Sequence, residues 1–163
     1  MALPKQMTEF GAGPKFAIYS VICFSVMFAL SRFFTPIFTI TVVHKSTIVW
    51  VGILLIVVGI PFYLLSIVPV IRAFKAKRLL TTGTYGMCRH PVYSAWIVFF
   101  VPGIALLLNS WALLAAPIVM YFIAVALVNQ EDSYLEETFG NEYISYRNRV
   151  PSIIPYGRFT GST

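Results

Sequence analysis

Residues 91–130 read PVYSAWIVFFVPGIALLLNSWALLAAPIVMYFIAVALVNQ and hold no charged side chain. As a helix this stretch would extend about 60 Å, at about 1.5 Å per residue, twice the roughly 30 Å of a bilayer's hydrocarbon core. Asn109-Ser110-Trp111, near its middle, supplies a turn and an interfacial aromatic. It therefore reads as a helical hairpin with arms at 92–108 and 110–128, bent at Pro102-Gly103 and Pro117. A hairpin returns the chain to the face it left. Whatever precedes Pro91 and whatever follows Gln130 should then meet on one side of the membrane.

The composition agrees. Of the 163 residues, 58% are hydrophobic and only 11% charged, against about a quarter charged in an average soluble domain. One core of this size could not hide so much apolar surface. The fold class expected is all-α, a polytopic helical membrane protein with about four transmembrane helices and a cytoplasmic helical tail. The net charge of +6 gathers beside the apolar runs, which suits an acidic membrane surface and argues against nucleic acid as a partner. Cys23 and Cys88 have no C-x-x-C or other ligand spacing, so two free thiols are expected, with no disulfide framework and no metal site.

Outward from the hairpin, four segments of one membrane domain are expected: two spans within 1–71, a basic loop at 72–90, the hairpin at 91–130 and a tail at 131–163. Residues 16–31 form an uncharged run, read as a retained first span; the polar lead before it and its aromatics argue against a signal peptide. Residues 35–43 are too short to span and are open between loop, interfacial piece and extension of the first span. Residues 46–71 suffice for one tilted span, with Pro61 kinking it, Gly59 permitting close packing and Pro69 marking its end. Arg72, Lys75, Lys77 and Arg78 then read as a positive-inside anchor. Both termini are expected in the cytoplasm. In the tail, Gly140 should interrupt a helix, Tyr143, Tyr146 and Arg147 should share one helical face, and 157–163 should be a disordered end.

Two polar clusters stand at the shared face. One is Gly83-Thr-Tyr85-Gly-Met-Cys-Arg89-His90-Pro91-Val-Tyr93; the other is Glu131-Asp132. Pro91 suits a first helical turn, so the residues before it form a cap whose free N–H groups would take polar ligand atoms. Glu131 and Asp132 either mark a helix entering water or offer acceptors where the dielectric is low enough for charge to count.

R-H-P-V-Y at 89–93, after G-T-Y at 83–85, resembles the membrane methyltransferases related to isoprenylcysteine carboxyl methyltransferase and phospholipid N-methyltransferases. Their tail pattern, E-E-x-x-L-x-x-x-F-G-x-x-Y-x-x-Y followed by V-P-R-x-x-P, is similar to Glu131-Asp132, Leu135, Phe139-Gly140, Tyr143, Tyr146 and Val150-Pro151-Ser152, with aspartate for the second glutamate and serine for the arginine. The resemblance covers roughly residues 80–155. It implies S-adenosylmethionine as methyl donor and a lipophilic acceptor, a phospholipid amine or a prenyl-cysteine carboxylate, reached from the bilayer. It also implies that Gly83, Tyr85, Arg89, His90, Pro91, Tyr93, Glu131 and Asp132 bind the donor. Glu131 or a tyrosine such as Tyr146 would deprotonate an amine acceptor, and Arg147 or Arg149 would orient a carboxylate. Val150–Tyr156 is also similar to the end of membrane sterol reductases, which use NADPH; that reading and a non-catalytic scaffold are the alternatives.

Overall fold

A computed structural model describes residues 12–159, all helices and connecting turns, with no strand among those residues. The helices are α1 (Gly13–Phe33), α2 (Thr35–Phe38), α3 (Lys45–Lys75), α4 (Thr84–Met87), α5 (Pro91–Ser94), α6 (Val101–Leu107), α7 (Trp111–Phe139) and α8 (Asn141–Arg149). A π-helical turn, Ala95–Phe100, joins α5 to α6. Among the described residues, three helices are long and apolar enough to cross a membrane: Gly13–Phe33, Lys45–Ala73 and Trp111–Phe139. Pro91–Leu107 is apolar but shorter. Ile18, Ile22, Trp50, Leu54, Ile118 and Phe122 lie exposed along them. So continuous an apolar exterior is stable only against lipid, and the chain is an integral membrane protein.

α7 is the spine. α1 packs along it, and α6, the π turn and α8 also touch it, while α3 packs against α6 and the π turn. α3 and α6 approach backbone to backbone. A Cβ on Gly52 would lie 2.9 Å from the Gly103 carbonyl, and one on Gly59 would lie 2.7 Å from the Phe99 Cβ. Tyr63, Trp96 and Phe100 fill the seam beyond with edge-on rings. The π turn has a local cause. Pro102 lacks the N–H an α-helix would require, and its ring would crowd the carbonyl four residues back. The helix widens instead, and Val101 N–H donates to the Trp96 carbonyl, five residues back.

Several boundaries differ from expectation. The arms of the hairpin turn at Asn109 (φ 53°), as the sequence implies, but the second arm does not end at Val128. It continues unbroken to Phe139 and stops at Gly140, where the sequence places a break, so Glu131 and Asp132 stand within the helix. α3 passes through both Pro61 and Pro69 and ends at Lys75, because apolar packing outweighs the missing N–H groups. Residues 35–43 resolve into α2 and a loop, closed against the hairpin turn by a bridge between Thr39 and Ser110. A hydroxyl pair, Ser31 with Ser110 at 2.7 Å, lies beside it. Residues 1–11 and 160–163, including most of the polar lead and part of the expected disordered end, lie outside the described residues, and the last residues of that lead begin α1.

Gly140 separates α7 from α8 at φ 54°, ψ −129°, a region that only glycine enters without strain. Among the described residues no neighbour crowds it, so the cost of a side chain there is backbone strain. Gly140→Ala should destabilise the protein by about 1–3 kcal/mol. A lowered unfolding temperature in detergent would show it, with Gly13→Ala, a helical position in open space, as the silent control.

Candidate active site

The two polar clusters meet, although 42 residues separate His90 from Asp132. The His90 ring lies between the carboxylates. Its Nε2 is 2.9 Å from Asp132 Oδ1, and its Nδ1 is 3.2 Å from Glu131 Oε2. Arg89 Nη1 donates to Asp132 Oδ2 at 2.6 Å and to the Tyr143 hydroxyl at 3.0 Å. Tyr143 in turn donates its hydroxyl to Asp132 Oδ1. Tyr93 OH donates to Glu131 Oε1 at 2.7 Å, and the Ala12 backbone N–H, at the start of α1, donates to the same oxygen at 2.5 Å. The Phe16 ring packs on Tyr93 with centroids 4.7 Å apart. The cluster thus ties together α1, the 84–90 segment, α5, α7 and α8.

Its electrostatics follow from that geometry. Burial alone would hold His90 neutral, but a carboxylate on each ring nitrogen outweighs it, and the pKa lies above the ordinary imidazole value. With the ring protonated, two cations face two anions and the cluster is neutral overall. Burial raises the Tyr143 and Tyr146 phenols, Tyr143 further through Asp132, so both act as neutral hydrogen-bond donors. Burial pushes the neighbouring Cys88 thiol up to about 12. Cys88 is free and fully buried, an inert packing residue.

Beside the cluster opens a cavity of about 350 Å³, within the range of small-molecule sites. Leu79, Leu80, Leu135 and Phe139 give it an apolar wall, Tyr85, Tyr134, Tyr143 and Tyr146 an aromatic one, and Lys77, Arg78 and Arg89 its positive charge. Arg89 belongs to both cluster and cavity. Its side chain is 10% exposed, and its buried Nε has no partner among the described residues.

The residues singled out from sequence divide accordingly. Tyr85, Arg89 and Tyr146 line the cavity. His90, Tyr93, Glu131 and Asp132 form the cluster behind it, and neither carboxylate borders the cavity. Pro91 is buried as the first residue of α5, and Gly83 turns the chain into α4 at φ 65°, off the cavity wall. Arg147 is not brought to the site. It sits on the outer face of α8, 47% exposed, paired with Glu136 at 3.0 Å. The N–H groups before Pro91 are not free either: Arg89 N–H donates to the Pro151 carbonyl at 2.8 Å and His90 N–H to that of Ser152 at 2.9 Å. Sequence reasoning missed Ala12 and Phe16, whose part in the site has no local signal, and Tyr134, Leu135 and Phe139 as cavity lining, although their helical spacing was visible.

Removing one member of a buried charge cluster strands the others at a cost of about 3–5 kcal/mol. Asp132→Ala should therefore lower the unfolding temperature in detergent by roughly ten degrees. Glu136→Ala, which breaks only the exposed pair with Arg147, should move it little, because such pairs contribute about 1 kcal/mol or less. Equal shifts would mean that the buried cluster does not hold the fold.

Residues 66–137 match the isoprenylcysteine carboxyl methyltransferase (ICMT) family, a range that includes Arg89, His90, Tyr93, Glu131 and Asp132. Over 86 residues the chain is 33% identical to protein-S-isoprenylcysteine O-methyltransferase B of Arabidopsis thaliana, covering 53% of this chain and 44% of that one. Over 78 residues it is 30% identical to the Mus musculus protein-S-isoprenylcysteine O-methyltransferase, covering 48% and 28% of the two chains. It is 35% identical over 78 residues to the Saccharomyces cerevisiae protein of the same name, covering 48% and 33%. The matched stretch thus spans less than half the length of each of these relatives. No solved structure matches the chain. Residues 66–137, which carry Arg89, His90, Tyr93, Glu131 and Asp132 of the charge cluster, are thus similar to the isoprenylcysteine carboxyl methyltransferase family.

Proposed function

We propose that the protein is an S-adenosylmethionine-dependent membrane methyltransferase that esterifies the carboxylate of a prenylated cysteine. One observation carries this reading: Arg89, within the segment similar to proteins of that name, lines a largely apolar cavity, and its buried Nε has no partner among the described residues. A guanidinium at an apolar wall calls for an anionic acceptor, and the carboxylates of both donor and acceptor supply one. The apolar wall suits a prenyl chain, and tyrosine faces suit a sulfonium cation. These residues fit the methyl donor, with Arg89, Lys77 and Arg78 toward its carboxylate and Tyr85, Tyr143 and Tyr146 around its cationic part.

When bound, S-adenosylmethionine supplies an electrophilic methyl group on a positively charged sulfur. The protein's task is then to align the reactants and exclude water. A carboxylate acceptor is already ionised at neutral pH and needs no proton removed. That agrees with a site whose carboxylates are bound to His90, Arg89 and two tyrosines, and so are poorly placed to act as bases. A phospholipid amine would require a base. The methyltransferase names of the relatives also favour methyl transfer over an NADPH-dependent reductase or a scaffold.

The reaction should take place at the cytoplasmic face, with Pro91–Leu107 completing four crossings and both termini inside. The concentration of Arg72, Lys75, Lys77 and Arg78 beside α3 supports that orientation. Reporter fusions at Lys77 and Tyr156 should score cytoplasmic and one at Asn109 external. A cytoplasmic Asn109 would remove the fourth crossing.

Purified protein should transfer labelled methyl from S-adenosylmethionine to a prenylated cysteine with a free carboxylate. The product should release methanol in base, as an ester does, and amidating the acceptor's carboxylate should abolish labelling. Arg89→Lys keeps the charge but lacks the fork that serves Asp132, Tyr143 and the cavity together. It should lower kcat/KM by about tenfold or more, the loss expected for a charge-assisted hydrogen bond of about 1.5–3 kcal/mol. Base-stable label in phosphatidylethanolamine, with none in the prenylated cysteine, would overturn the carboxylate reading.

A further inference from the structure

After α8 the chain turns back over the segment that carries Tyr85, Arg89 and His90. Val150 is extended (φ −120°, ψ 129°), and the next two carbonyls take the Arg89 and His90 N–H groups at 2.8 and 2.9 Å. Ile153, 2% exposed, sinks into the same apolar core as Tyr93, Ile97 and Val128. Ile154 accepts from Tyr156 N–H at 3.0 Å, and Gly157 N–H then donates to the Met87 carbonyl at 2.9 Å. From α8 itself, the Tyr146 hydroxyl donates to the Tyr85 carbonyl at 2.7 Å. Backbone groups of residues 85, 87, 89 and 90 are therefore all held by residues 146–157.

Gly157 is where this strap has no room for a side chain. A Cβ there would lie 2.5 Å from the Gly86 carbonyl oxygen and 2.7 Å from that of Met87. Both are backbone atoms of the segment being held, so they cannot rotate aside. A methyl group at 157 must lift the strap or push the 86–90 backbone away from it. Because Arg89 and His90 hang from that backbone, the displacement reaches the cavity and the charge cluster without altering any residue in either.

We infer that residues 150–157 form a clamp that sets the position of Arg89 and His90, with Gly157 as a positioning residue for the site. The clamp lies outside the 66–137 stretch that matches the family. Its contacts stand on geometry alone, while its effect on turnover rests on the methyltransferase reading above.

The test uses the full chain in detergent or nanodiscs and compares wild type, Gly157→Ala, Ile153→Val and Arg158→Ala. Hydrogen exchange at the Arg89 and His90 amides reads the clamp directly; methyl transfer reads its consequence. Gly157→Ala should speed exchange at those two amides by about tenfold or more while the middle of α7 stays protected, and should raise KM by a similar factor with kcat changed less. Ile153→Val removes one methylene from the buried anchor and keeps the fold, so it should speed the same two amides by about two- to tenfold. Arg158→Ala, at the exposed neighbour, should match wild type in both readouts. Wild-type exchange and KM in Gly157→Ala would overturn the inference, as would faster exchange with unchanged KM. If Gly157→Ala loses protection throughout, unchanged amides and KM in Ile153→Val overturn it. Wild-type protein that transfers no methyl group sinks the methyltransferase reading instead, and the exchange arm still judges the clamp.

Discussion

Asp132 is the residue on which the arrangement depends. Arg89, His90 and Tyr143 all converge on its two oxygens, and they come from the segment before α5 and from α8. Glu131, one position earlier, takes the other nitrogen of His90 together with Tyr93 and the start of α1. Consecutive helical residues point about 100° apart, so two adjacent carboxylates can reach two different sets of partners. A buried charge set is a weak stabiliser measured against an apolar core, yet it is costly to break and strict in geometry. Here it selects one relative placement of elements that lipid-facing apolar surfaces could not orient, because those surfaces are nearly equivalent in every direction.

The packing behind the cluster serves the same end. α3 meets α6 through Gly52 and Gly103 with almost no side-chain spacer. Between helices in lipid, such close approach supplies the attraction that the hydrophobic effect cannot. Ser66, fully buried in α3, donates to the Phe62 carbonyl at 2.6 Å, and its hydroxyl oxygen lies 3.0 Å from that of Thr84. That contact ties the membrane-embedded part of α3 to the start of α4. The 84–90 segment is thus gripped from the bilayer side by α3, from the spine by α7 and from the tail by residues 146–157.

Much of this was legible in the chain. The uncharged run at 91–130 carried the hairpin, and the charge gaps carried the other apolar helices, because exclusion of charge from hydrocarbon is a strong and local constraint. Arg89, His90 and Glu131-Asp132 could be paired because a hairpin must return to its own face. The helix stop at Gly140 was legible too, but the continuity of α7 past Val128 was not. Helical hydrogen bonding continues equally well in lipid and in water, so the loss of apolar residues after Val128 marks a change of surroundings and leaves the helix intact. The partners of the carboxylates were hidden for another reason. A glutamate beside an apolar run looks the same whether a ligand or a histidine completes it, and only the fold brings His90, Tyr143 and the Ala12 N–H into range. Arg147 illustrates the reverse error: its spacing from Tyr143 and Tyr146 is helical, but a step of one residue from Tyr146 rotates it to the outer face.

The satisfied state of the cluster bears on the kind of chemistry such a site can support. A general base must surrender its lone pair to a substrate proton, and Glu131 and Asp132 have theirs engaged by Tyr93, Tyr143, Arg89, His90 and a backbone N–H. Recruiting either would strand a buried cation. What the cluster does offer is rigidity. With its Nη1 fixed by Asp132 and Tyr143, Arg89 brings a positive charge to the wall of an apolar cavity, its rotamer freedom already lost before any ligand arrives. A donor held in advance loses little further entropy on binding an anion. Such a wall is suited to a reaction between an acceptor that arrives ionised and a donor that arrives charged, where orientation and dryness matter more than proton transfer.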